Sequence, residues 1–331
     1  MGKPIYLDYN ATTPIDHAVQ EAMLPYLVEY FGNPSTTHAY GLPVKEAIER
    51  ARQQVASLIG ATPEEIIFTS GGSESDNHAI VGTALANSHR GKHIITMRIE
   101  HPAVLNTCRY LEERLGFKVT YVSVDKYGLV DPADIRRAIT GETVLITIMH
   151  ANNEVGTIEP IAEIGEIARE REILFHTDAA QSCGKVKVDV NELKVDLLTI
   201  AGHKLYAPKG IGALFIRRGV QIDSLIHGAG QENGRRAGTE NVPYIVGLGT
   251  ACEIARQELT EYGAKVKDLR DKLHSRIVQG LGEKSVHLNG HPERRLPNTL
   301  NISIRSIVGD ELLSRMPELA ASTGAACHAG S

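Results

Sequence analysis

Lys204 lies in Ala201-Gly202-His203-Lys204-Leu205-Tyr206-Ala207-Pro208-Lys209-Gly210, a glycine- and proline-punctuated stretch between two apolar runs. A lysine amine in such a loop can hold an aldehyde covalently. Upstream, Phe175-His176-Thr177-Asp178-Ala179-Ala180-Gln181 closes another apolar run with a carboxylate. The ring nitrogen of pyridoxal 5'-phosphate (PLP) requires such a partner, so Lys204 and Asp178 together predict a PLP enzyme.

Further groups fall at the ends of other apolar runs. Ser70-Gly71-Gly72-Ser73-Glu74-Ser75 sits between a strand-like run and a helical pattern. There the free N–H groups, the helix dipole and the Ser73 hydroxyl suit a phosphate, although the same residues also make an ordinary strand-to-helix turn. His101, in Glu100-His101-Pro102, offers an imidazole that can stack on a flat ring and move protons near neutral pH. It equally suits a local hydrogen-bonding role. Asn152, Asn153 and Gln181 supply amides for a ring oxygen or a substrate carboxylate, or for turn formation. Cys327 lies in Ser322-Thr323-Gly324-Ala325-Ala326-Cys327-His328-Ala329-Gly330, a run of small residues that suits either a thiol carried to a substrate or an incidental free one.

These residues need a scaffold, and the chain of 331 residues is long enough for one large domain with a smaller lobe, or for two comparable domains. A formal net charge of -5, with Lys and Arg dispersed, leaves no basic footprint for nucleic acid. The N-terminal stretch lacks the apolar centre of a secretion signal, and no run approaches the roughly 20 apolar residues of a membrane span, so a cytoplasmic protein is expected. The four cysteines, Cys108, Cys183, Cys252 and Cys327, are far apart and predict reduced thiols without a metal site.

Short β-branched runs alternating with helical patterns predict an α/β fold with a mainly parallel sheet of seven strands. Those runs are 66–69, 94–97, 119–122, 144–147, 173–176, 197–200 and 211–216. Asp131-Pro132 and His101-Pro102 mark helix starts, since proline lacks an N–H that the first helical position does not use. A helical stretch over 242–281 leads toward a second lobe, where 299–304 reads as a strand and 309–316 as a helix. In such sheets, ligand chemistry gathers beyond the carboxyl ends of the strands. Every candidate from the first two-thirds of the chain falls there.

Ordered motifs along nearly the whole chain resemble the NifS/IscS-like cysteine desulfurases, class V members of the PLP-dependent aminotransferase superfamily. They are Tyr6-Leu7-Asp8-Tyr9-Asn10-Ala11-Thr12-Thr13-Pro14, Gly32-Asn33-Pro34-Ser35, the Gly-Gly-Ser turn, Glu100-His101, Asn152-Asn153-Glu154-Val155-Gly156, His176 to Gln181, Gly202-His203-Lys204 and Arg236-Ala237-Gly238-Thr239-Glu240-Asn241. The resemblance implies the PLP-dependent transferase fold type I, with helices on both faces of the sheet. It implies a large PLP-binding domain over 15–250 and a small α+β domain from 1–14 and 251–331, the latter truncated at its C-terminal side.

By the same resemblance, Lys204 holds the cofactor, Asp178 pairs with its ring nitrogen and His101 stacks on the ring. Gln181 and Asn153 address the ring oxygen or substrate, and Gly72, Ser73 and His203 bind phosphate. Thr239 reaches the phosphate of a neighbouring subunit, which implies a homodimer. Cys327 is the nucleophile: L-cysteine loses its sulfur to the thiol, leaving L-alanine and a persulfide for an acceptor such as an iron–sulfur scaffold protein. Ala201 stands where many relatives have serine, at a cost of about one hydrogen bond, or ~1 kcal/mol. No residue matches the family's substrate-carboxylate arginine, so a catalytically impaired scaffold form is one alternative. Selenocysteine lyase, with the same motifs, is another. An ordinary class V aminotransferase has no need of Cys327.

Overall fold

The computed structural model describes residues 3–324, and Cys327 lies outside the described residues. The strands are β1 (Ile5–Tyr6), β2 (Ile66–Thr69), β3 (His93–Met97), β4 (Lys118–Val122), β5 (Thr143–Thr147), β6 (Leu174–Asp178), β7 (Leu197–Ala201), β8 (Gly212–Ile216), β9 (Val286–Leu288), β10 (Ile302–Ile304) and β11 (Leu319–Ala320). The α-helices are α1 (His17–Val28), α2 (Leu42–Ile59), α3 (Gly72–Asn77), α4 (Thr83–Ala86), α5 (Pro102–Leu115), α6 (Pro132–Ala138), α7 (Ile161–Glu170), α8 (Val242–Leu281) and α9 (Gly309–Ser314).

Seven strands form one sheet in the order β2-β8-β7-β6-β5-β3-β4. Only β8 runs antiparallel to its neighbours; the other pairings are parallel. The predicted mainly parallel α/β architecture is therefore observed, and each of the seven apolar runs is a strand. Strands β2, β3, β5, β7 and β8 are buried at every position, because helices cover both faces of a parallel sheet and leave no side for water. On one face Val19, Val44, Ile48 and Leu248 of α1, α2 and α8 pack against Phe175, Ile200 and Phe215. On the other, Ile80, Val104 and Leu111 pack against Ile94 and Leu145.

The helix starts read from the sequence are built as the chemistry requires. Asp131 Oδ1 accepts the Ala133 N–H at 2.8 Å, and His101 Nδ1 accepts the Ala103 N–H at 3.1 Å. α8 spans 40 residues and buries mainly its first third, from Val242 to Cys252. Its Gly249 lets it approach α2 closely, since a methyl there would stand 2.6 Å from Ala51 Cα. Beyond α8, β9 and β10 pair antiparallel, and β11 pairs parallel with β1. The predicted strand over 299–304 is shortened to Ile302–Ile304, and just before it the Asn301 side chain donates to Glu154 O. Among the described residues, no helix is long and apolar enough to cross a membrane.

Candidate active site

The carboxyl ends of β2, β3, β5, β6 and β7 share one sheet edge, which brings the turn at Gly72, the cap residue His101, Asn153, Asp178 and Lys204 to that edge. Lys204 ends a 3-10 turn, Gly202–Lys204, directly after β7. The N-terminal segment crosses over this turn. Thr13 is its clamp: the Thr13 N–H and hydroxyl both donate to His203 O, at 2.9 and 3.1 Å, while the hydroxyl accepts the Tyr206 N–H at 2.8 Å. Tyr206 takes a φ of 62°, a left-handed conformation that this clamp supports. Lys204 Nζ donates to Asn10 O and, at 2.9 Å, to Ala11 O.

Asp178 ends β6 and is buried, with Oδ1 accepting the Ala180 N–H at 2.8 Å. Burial raises its pKa, opposed by that hydrogen bond and by the charges of His101 and Lys204. A desolvated carboxylate favours a cation placed beside it, such as a protonated ring nitrogen. Asp76 lies behind it, pushed well up by burial and by Asp178 itself. Asp76 is 3.7 Å from His176 Nε2, but burial lowers His176 to about 3. Burial thus disfavours the charged form of both partners in this contact.

At the Gly71-Gly72 turn, a side chain at Gly71 would meet nothing within 4 Å, so the space over the backbone is open to a ligand. A methyl at Gly72 would come 3.2 Å from Ala201 Cβ, which fixes Ala201 beside the turn. Ser73 is exposed, and Glu74 holds the turn through Ser70 N–H at 2.8 Å and Arg236 at 2.9 Å. Burial alone would raise Glu74, but hydrogen bonds from Arg236 and Ser70 more than offset it and lower its pKa. His203 is depressed to about 4 by burial first and then by Lys204 and other cations; its Nδ1 lies 3.2 Å from Thr12 Oγ1. A neutral imidazole offers one N–H to a phosphate.

The amides divide in two. Asn152 is a turn-former: its Oδ1 accepts the N–H groups of Glu154 and Val155, and its Nδ2 donates to Ile99 O. The Asn153 backbone carbonyl accepts Asn10 Nδ2 at 3.2 Å. Gln181 Nε2 donates to Asn10 O at 2.9 Å. A cleft of about 520 Å³ adjoins these residues and is lined by Glu100, Asn152, Asn153, Lys126 and Asn289. Its lining does not include the Lys204 turn.

The structure thus gathers Lys204, His203, Gln181 and Asn153 around the N-terminal segment, with Asp178 within the electrostatic reach of both Lys204 and His101. Gly72 and Ser73 join through Ala201. Thr239 stands apart, exposed on a loop whose link to the Gly71-Gly72 turn is Arg236 with Glu74. Cys108, Cys183 and Cys252 are buried, and burial pushes every one of these thiols up, Cys183 to about 12. None of the three is suited to be a nucleophile at neutral pH. Sequence reasoning missed Asn10 as the common anchor; its motif was legible only as a resemblance, since nothing in one sequence shows that residues 10 and 204 meet.

The sequence pattern described as aminotransferase class-V matches residues 5–331. Cysteine desulfurase IscS of Methanosarcina thermophila is 54% identical over 99% of this chain and 81% of its own length. The chain belongs to the NifS/IscS-like cysteine desulfurases of aminotransferase class V. Solved structures of this family agree with the described fold. A NifS-like protein superposes with a TM-score of 0.89 at 42% identity, covering 96% of this chain and 87% of that one. SspA in complex with cysteine superposes with a TM-score of 0.85 at 40% identity, over 98% of this chain and 90% of its own.

Proposed function

We propose that this chain is a PLP-dependent cysteine desulfurase that converts L-cysteine and the Cys327 thiol into L-alanine and a Cys327 persulfide. The exchange balances: one sulfur passes from substrate carbon to Cys327 Sγ, and hydrogen takes its place on carbon, with no outside oxidant or reductant. Bound PLP supplies an electron sink that makes the substrate α-proton acidic. Lys204 holds the aldehyde carbon and is the base for that proton. Asp178 keeps the ring nitrogen charged, and His101 covers the ring. Gln181 donates to the ring oxygen, while Asn153 orients the substrate. Gly72, Ser73 and His203 cradle the phosphate.

The observation that carries this reading is the buried Asp178 carboxylate, electrostatically coupled to Lys204 from the adjacent parallel strand end. The relative solved with cysteine supports the substrate, and the buried state of the three described thiols supports Cys327 as sulfur carrier. Thr239, on its exposed loop, completes the phosphate site of a second copy in a homodimer. The persulfide serves acceptors of the iron–sulfur scaffold class. Mass spectrometry after incubation with L-cysteine tests the proposal: a gain of one sulfur on the Cys327 peptide, with alanine formed in step, is expected. Rapid selenide release from selenocysteine with negligible alanine from cysteine would reject it in favour of selenocysteine lyase.

A further inference from the structure

Lys185 has no part in the roles above, yet it is buried to 5 % exposure beside them. Residues 179–186 form helical turns: the Cys183 N–H donates to Ala179 O and the Val186 N–H to Ser182 O. Positions 181 and 185 therefore lie on one face. Lys185 Nζ donates to Gln181 Oε1 at 3.0 Å, and Gln181 Nε2 donates to Asn10 O at 2.9 Å. A main-chain carbonyl only accepts, so the amide nitrogen must face Asn10 and the amide oxygen must face Lys185. The same Asn10 carbonyl accepts from Lys204 Nζ. One carbonyl thus registers Gln181 against the covalent lysine.

We infer that Lys185 is a positioning residue: by engaging Gln181 Oε1 it leaves only the N–H of that amide to meet the ring oxygen of the cofactor. The inference rests on the reading of Gln181 given under the proposed function. An amine donates whether or not it is protonated, so this role survives a change of charge. Burial first, and then the neighbouring Lys204, lower Lys185 to about 7, with Cys183 acting in the opposite direction. His203 also feels its charge, and α8 closes over its main chain at Gly263. A buried lysine with so high a desolvation cost contributes nothing to stability that an apolar chain would not.

The test is the visible absorption of PLP-loaded protein as a function of pH, in wild type, Lys185→Met, Gln181→Met and the double variant. Methionine keeps the length and leaves no unpaired charge; thermal unfolding checks the fold, and Lys185→Leu is the second variant. A donor on the ring oxygen favours the deprotonated band, so Lys185→Met is expected to raise its midpoint by about one pH unit. In the Gln181→Met background the same substitution should shift it by less than about a third as much, because the two act as a unit. An unshifted midpoint in Lys185→Met, or an equal shift in both backgrounds, overturns the inference while leaving the cofactor assignment intact. A wild-type protein that develops no visible band with PLP overturns the cofactor assignment and the inference with it.

Discussion

Arg52 on α2 meets Glu232 through two parallel hydrogen bonds of 2.7 and 2.9 Å, with both side chains buried. Glu232 also accepts the Phe68 N–H at 2.9 Å, and Arg52 donates to Ile66 O and lies 4.8 Å over the Phe68 ring. Burial would lower the arginine, but Glu232 outweighs it, and its pKa is raised. The pair joins β2, which leads into the Gly71-Gly72 turn, to the loop that carries Arg236 and Thr239. Glu232 holds a φ of 48° to do so.

Removing one partner strands the other charge in the core. Arg52→Met is expected to lose about 3–5 kcal/mol by denaturant unfolding, whereas Arg52→Met with Glu232→Met should recover much of that loss. Equal stability of the single variant and wild type would refute the buried pair.

Thr13 offers a test of the clamp over Lys204. Thr13→Val keeps shape and volume but deletes the hydroxyl that serves both His203 O and the Tyr206 N–H. A loss of about 1–3 kcal/mol is expected, together with slower alanine formation, since the lysine turn loses its register. An unchanged rate in a destabilised protein would confine Thr13 to a structural role.

Asp178→Asn preserves the hydrogen bond to Ala180 and removes the charge. Alanine formation should fall by about a hundredfold or more, as one neighbouring charge shifts a paired group by one to three pKa units. PLP should still bind and colour the protein. A fall of less than about threefold would show that the ring nitrogen does not depend on this carboxylate.

Glu159 should contribute to the pH dependence of stability, alongside the buried carboxyls of Glu100 and Asp76, which burial also raises. Burial pushes the Glu159 carboxyl up to about 8, so between the usual carboxylate range and pH 8 the folded state binds a proton that the unfolded state has lost. Stability from this group is complete at acid pH and declines as pH rises, by up to about 1.4 kcal/mol per unit. Glu159→Gln keeps the Val130 hydrogen bond and should flatten that alkaline slope in unfolding measured from pH 5 to pH 8.5.

Much of the scaffold was legible because burial on both faces demands continuous apolar β-branched runs, and each such run is a strand. Capping chemistry at His101 and Asp131 is equally local. The strand order was not legible: β8 enters antiparallel between β2 and β7, and nothing in Gly212–Ile216 distinguishes it from its parallel neighbours. The candidate residues were recognisable by type, through an amine and a carboxylate each closing an apolar run.

By itself, then, the chain of amino acids determined which groups stand at strand ends, because periodicity and caps act over a few residues. Tertiary structure alone decided that Asn10 joins Gln181 to Lys204 and that Arg52 meets Glu232. Such contacts link residues far apart in the chain, and their energies depend on desolvation, which exists only once the core has closed around them.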